Sequence, residues 1–244
     1  MYIWKCWRDS RSRFTLYLIA VPVTCVLFTI ILATHGPQRG GPVSSGAQLW
    51  SQVAPFILGG VVSLIILLAA LTLAVASLGE EYKEKTLDFL LTRPRRRRYW
   101  VWACWSVGAG EILGLVVAGV VGTFGALCYE SGYVYSWRLL ATTLPLFVGA
   151  VAVYSLTYVL TVLTRSSEQG ISYGMGILLV DLLLPIAALY WHVHLSSVMS
   201  LMHGGCGWAT SPALAFPLGE LIIYAVVALA FPFAAQLVLE HAEV

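Results

Sequence analysis

Residues 54–78 read APFILGGVVSLIILLAALTLAVASL, and residues 79–98 continue GEEYKEKTLDFLLTRPRRRR. The first stretch carries no charge and exceeds the roughly 20 apolar residues that a helix needs to cross a bilayer. In hydrocarbon every backbone N–H and C=O must be paired within the segment, so an apolar run of that length is a transmembrane helix. The second stretch changes character at once, with acids, lysines, a leucine stripe, a proline and four consecutive arginines. A lipid-soluble rod that ends in a strongly basic segment decides both the architecture and its orientation.

The same pattern recurs along the chain. Apolar residues make up 59% of the 244 and charged residues 11%, against roughly 25% charged in a soluble domain. No water-soluble fold covers that much apolar surface, so the fold class is an all-α integral membrane protein. Six spans are expected, near 14–34, 54–78, 100–128, 139–163, 170–191 and 214–238, within one transmembrane domain over 1–244. The first run is too long for the apolar part of a cleaved signal peptide, and no small-residue cleavage pattern follows Thr34; a retained anchor is expected. Residues 35–53 are dense in turn formers and read as an outer loop.

Lys and Arg concentrate in segments that stay in the cytoplasm. Lys5, Arg8, Arg11 and Arg13 precede the first span, Lys83, Lys85, Arg93 and Arg95 to Arg98 lie between the second and third, and Arg165 follows the fourth. Only Arg39 and Arg138 fall on the other side, which places both termini in the cytoplasm of a multi-pass protein of the inner (plasma) membrane. Residues 3–14 show an apolar face of Ile3, Trp7 and Phe14, flanked by Trp4 and Cys6, with Lys5, Arg8, Asp9, Ser12 and Arg13 turned away. An amphipathic elbow helix over 1–13, lying in the headgroup plane, is the expectation; a simple charged flank is the alternative. The cysteines Cys6, Cys25, Cys104, Cys128 and Cys206 show no paired spacing and read as small core residues.

Within residues 80–93, Glu81 and Lys85 stand four apart in the favourable order, and Leu87, Leu90 and Leu91 share a stripe. A short amphipathic helix follows, ended by Pro94. It is too short and too charged to span, yet its stripe needs covering by a lipid interface or a protein groove. The plainer alternative is a topogenic loop whose arginines hold anionic headgroups.

The pattern acid-x-x-x-x-Thr-Leu-acid-x-Leu-Leu-x-x-Pro, followed by basic residues, is carried by Glu81, Thr86, Leu87, Asp88, Leu90, Leu91, Pro94 and Arg95 to Arg98. It resembles the permeases of type-2 ATP-binding-cassette (ABC) exporters, in which this segment is the coupling helix. The resemblance extends to the elbow, the six spans and a partly re-entrant outer segment before the last span, here 192–213. It departs from the family at Lys85, where Gly is frequent, and at Ala103 and Cys104, where a Lys is frequent. The resemblance implies a transport subunit that is not an enzyme. Its expected partners are ABC-type ATPase subunits docking on Glu81, Lys85, Thr86, Leu87, Asp88, Leu90, Leu91 and Pro94, a second permease chain (identical or different), and membrane lipid, with no nucleic acid. No cofactor is expected on this chain, ATP and Mg belonging to the partner. With Lys5, Lys83 and Lys85 the only lysines, no phosphate-binding G-x-x-x-x-G-K-[ST] loop exists.

Three carboxylates fall within spans: Glu111, Asp181 and Glu220. A charge at mid-bilayer costs about 3 kcal/mol on insertion scales, so such groups face protein or water. Asp181 precedes Pro185 by four residues, and the proline removes the helical partner of the Asp181 carbonyl. That makes a hinge or substrate contact, or else a hydrated structural acid. Small residues recur every four positions at Gly110, Gly114, Ala118, Gly122 and Ala126, and again at Gly170 and Gly174, which lets neighbouring backbones approach.

In the outer segment His192, His194, Met199, Met202, His203 and Cys206 are potential soft-metal ligands, and the last four share one face if the stretch is helical. An amphipathic outer helix with buried methionines is the favoured reading, because Met at helical spacing is more often packing than ligation. An ion-coupled secondary transporter using Glu111, Asp181 and Glu220 is the alternative function. It lacks a convincing inverted repeat. A membrane-embedded enzyme ranks last, since no H-E-x-x-H set or clustered nucleophile appears.

Overall fold

The computed structural model describes residues 2–35, 56–83, 94–131, 141–191, 197–210 and 215–241, and among them no strand occurs. Seven α-helices follow in order: α1 (Tyr2–His35), α2 (Ser63–Lys83) entered through a π-helical turn (Ile57–Val62), α3 (Pro94–Ser131), α4 (Thr143–Thr164), α5 (Ser167–Trp191), α6 (Val198–Thr210) and α7 (Leu218–His241). Among the described residues five stretches are long and apolar enough to cross a membrane: Ile3–Ile31, Ile57–Ala76, Arg98–Tyr129, Thr143–Thr164 and Leu218–His241. Five threonines inside these helices satisfy their hydroxyls locally. Thr24, Thr29, Thr123, Thr157 and Thr161 each donate a hydroxyl to the carbonyl four residues back, which hides the O–H from lipid.

Neighbouring helices alternate in direction. Tyr17 of α1 meets Thr72 of α2, where the Thr72 hydroxyl donates to the Tyr17 oxygen at 3.1 Å. Going up α1, Phe14 lies against Gly114 and Pro22 against Gly122, so α1 and α3 run parallel. The buried Tyr154 and Tyr158 of α4 donate their hydroxyls to the carbonyls of Cys104 and Val101, at 3.3 and 3.1 Å, which makes α4 antiparallel to α3. Gly170 and Gly174 of α5 press on Thr161 and Thr157 of α4, again antiparallel. A two-residue turn joins them, with Arg165 in the left-handed conformation (φ 51°) that ends many helices. Trp102 of α3 donates to Gln236 near the end of α7 at 2.9 Å. The start of α1, the start of α3 and the end of α7 therefore share one end of the bundle. The small-residue ladder explains the closest of these contacts: in α3 its Gly114 and Gly122 face α1, while Gly110 has open space beside it.

Four expectations change. The elbow over 1–13 and the first span are one uninterrupted helix, because nothing between Asp9 and Leu18 breaks α1. Its inner stripe is Cys6, Ser10, Val21, Cys25 and Thr29, while Ile3 of the expected apolar face and its flank Trp4 are exposed, as a lipid-facing side would be. Cys6 and Cys104 are not isolated core residues but a disulfide pair joining α1 to α3, with Cα atoms 5.4 Å apart. Their spacing of 98 residues carries no sequence signature. Helix α2 continues to Lys83, so residues 80–83 of the expected docking helix belong to α2, and its residues 84–93 lie outside the described residues. Pro94 opens α3 six residues before the expected start of the third span, at a helix position where its missing N–H has no bond to lose.

Candidate functional site

Of the expected docking residues, Glu81 lies in the last turn of α2 and Pro94 at the first position of α3. Lys85, Thr86, Leu87, Asp88, Leu90 and Leu91 lie outside the described residues. The segment they occupy leaves α2 and enters α3 at the bundle end shared with the start of α1.

The three intramembrane carboxylates have separate surroundings. Glu111 is buried on α3 and accepts the hydroxyl of Ser10 from α1 at its Oε1, while its Oε2 finds no partner among the described residues. Ser10 also lies 3.0 Å from the Cys6 carbonyl and 3.3 Å from that of Trp7, so one O–H has three acceptors in reach. Glu220 sits in the first turn of α7, where the positive end of a helix favours an acid. No group of three His, Cys, Asp or Glu residues forms among the described residues, so these acids make no joint ion site there.

Asp181 has the most specific arrangement. Its Oδ1 accepts the backbone N–H of Val198 at 3.0 Å and its Oδ2 that of Met199 at 3.3 Å. Ser197 adds the third bond, its hydroxyl accepting the N–H of Ser200 at 2.9 Å. The first three N–H groups of α6, which no helix can satisfy from within, are all provided for. Asp181 lies ten residues before the end of α5, so α6 begins about 15 Å back along α5 from Trp191. A carboxylate in the middle of α5 thus meets the positive end of a helix whose charge complements it.

Helix α6 is seated by small residues. A side chain at Gly205 would meet Pro145 at 2.5 Å, and one at Gly149 would meet Met202 at 3.0 Å. Gly59, in the π-helical turn, leaves room for His203, whose Nδ1 lies 2.9 Å from where a Cβ would stand. Trp208 and Phe216 meet edge to face, with centroids 5.0 Å apart, on the way to α7. The proposed metal face is helical but divided. Met202 and Cys206 are buried in packing, Met199 is half-buried and His203 is exposed. Burial pushes the Cys206 thiol up to about 12, which disfavours the thiolate that metals bind. His192 and His194 lie outside the described residues.

Between α4, α5 and α7 lies a cavity of about 210 Å³, walled by apolar side chains, with Asp181 and Val198 at its edge. Sequence reasoning found Asp181 but not its partners. Ser197 before an apolar helix is a recognisable cap, whereas the pairing of Asp181 with Val198 and of Ser10 with Glu111 exists only in three dimensions.

No curated protein matches the chain. The family model described as ABC-2 family transporter protein matches residues 11–216, from the inner part of α1 to the approach to α7. The chain belongs to the ABC-2 transporter family, as a membrane permease component that works with ABC ATPase subunits and is not itself the ATPase.

Proposed function

We propose that this chain is the membrane-spanning half of an ABC exporter in the plasma membrane, acting as a dimer on two separate ATPase subunits that dock on the segment between α2 and α3. In this reading α5, 25 residues long and mostly apolar beyond its first turn apart from Ser172 and Asp181, completes the six spans, and both termini are cytoplasmic. One observation carries it: the alternating helices bring the start of α1, the start of α3 and the end of α7 to one end of the bundle, the end that holds Lys5, Arg8 and Arg95 to Arg98. Basic residues gather on the cytoplasmic side, where an ATPase is found. Leu87, Leu90 and Leu91 supply an apolar stripe for a groove on that partner.

The test is co-purification and ATP-driven transport with Leu87, Leu90 and Leu91 replaced by Asp. Loss of both, with the chain still inserted in the membrane, is expected. Unchanged ATPase association overturns the docking role. Transport driven by an ion gradient in the absence of the ATPase would instead establish the ion-coupled alternative.

A further inference from the structure

The cavity between α4, α5 and α7 is walled by Ala152 and Leu156 of α4, Ile177 of α5, and Val227 and Phe231 of α7, with Val198, the first residue of α6, closing one side. Asp181 is the one charged residue in that lining, and both of its oxygens already accept N–H groups of α6. A water molecule needs two to four polar partners to be held; beyond Asp181 the lining offers only the Tyr224 hydroxyl among walls of Gly, Ala, Val, Leu, Ile and Phe, and a bare ion is far worse served. Size points the same way. At about 210 Å³ this half-open pocket has room for an aromatic ring or a short hydrocarbon chain.

We propose that this cavity is a binding site for an apolar group, an aromatic ring or a short hydrocarbon chain, and that α6 is its lid. The lid is held where it borders the site: the N–H of Val198, whose side chain forms the wall, is the group that Asp181 fixes. Breaking the two bonds to Asp181 frees the first turn of α6, whose Val198 side chain then leaves Gly149, while Met202 and Gly205 further along keep their seats on Gly149 and Pro145. Pro185, one turn further along α5, leaves the Asp181 carbonyl without its usual helical partner, so the backbone there can bend as the lid lifts. The group held is either the acyl chain of a bilayer lipid or part of a free lipophilic compound. The site deepens the permease reading, and rests on it only where the guest is taken to be cargo.

The experiment uses the full chain in phosphatidylcholine nanodiscs and two photoreactive probes, a phosphatidylcholine with a diazirine in its acyl chain and a free diazirine-bearing alkyl alcohol. Adducts are mapped by mass spectrometry. Labelling at Leu156, Ile177 and Phe231 is expected to saturate with probe, and to fall about tenfold or more when Leu156→Trp fills the volume. Labelling at the lipid-facing Ile223 and Val226 stays as it was. Saturation with the lipid probe identifies a bilayer chain, saturation with the alcohol alone identifies a separate lipophilic guest, and either upholds the site. Labelling that rises without saturation, or that is equal in Leu156→Trp and wild type, overturns it. Ala152→Leu, a smaller filling change, serves the same comparison if Leu156→Trp fails to fold. Saturable labelling combined with no ATP-driven movement of any probe would sink the cargo role and leave the binding site standing.

Discussion

Asp181 of α5 accepts the backbone N–H of Val198 at 3.0 Å, so that a side chain within one long helix serves as the cap of another, 17 residues further on. The same carboxylate takes the Met199 N–H with its second oxygen. An acid in a span is costly when unpaired, and here its cost is offset by two charge-assisted hydrogen bonds and a helix end.

Asp181→Ala is expected to free both N–H groups and to destabilise the start of α6 by about 1–3 kcal/mol. Amide exchange at Val198 and Met199 should quicken by about tenfold or more, since each 1.4 kcal/mol is a factor of ten. Asp181→Asn keeps one acceptor and should fall between. Unchanged exchange in the alanine variant would show that the cap holds nothing.

Gly108 has no room for a side chain, because its Cβ would overlap the Tyr154 ring. Gly108→Ala should cost about 1–3 kcal/mol through overpacking, read as a lowered Tm in detergent. Two residues on, Gly110 has nothing within 4 Å, and Gly110→Ala should leave Tm unchanged or raise it through better helix propensity.

Ser10→Ala removes the hydroxyl that Glu111 accepts and leaves a buried carboxyl without that bond. A loss of about 1–3 kcal/mol is expected. Ser10→Ala combined with Glu111→Met replaces both polar partners by apolar ones and should recover much of it. A double-mutant cycle on thermal stability measures the coupling. Additive effects would mean that the two side chains do not act as a pair.

The Cys6–Cys104 link predicts a cross-linked peptide pair in unreduced digests of the protein, absent after Cys6→Ser. Thiol-specific labelling without reductant should reach the half-buried Cys128 ahead of the buried Cys25 and Cys206. Equal labelling of Cys6 before and after reduction would refute the link.

The long helices were legible because each is a continuous apolar run whose reading needs no tertiary knowledge; α4 and α7 begin and end within a few residues of expectation. The family was legible from residues 81–98, where a motif and a charge run coincide. What escaped was whatever depends on two helices meeting. The side of α1 that packs against α3 was not read from sequence, because Cys6 and Ser10, small and moderately polar, are buried there while the more apolar Trp4 is exposed. Burial there follows the small-residue geometry of α3, which no periodicity count on α1 contains. Asp181 was visible as an acid beside a proline, but its role depends on α6 folding back along α5.

The Cys6–Cys104 bond sits ten residues into α3, about 15 Å along the axis from Pro94, and Ser10 with Glu111 adds a second tie a little further on. A push delivered at Pro94 therefore cannot tilt the third helix alone. The opening turns of the first helix must travel with it as one lever, carrying Lys5, Arg8, Arg11 and Arg13 with them.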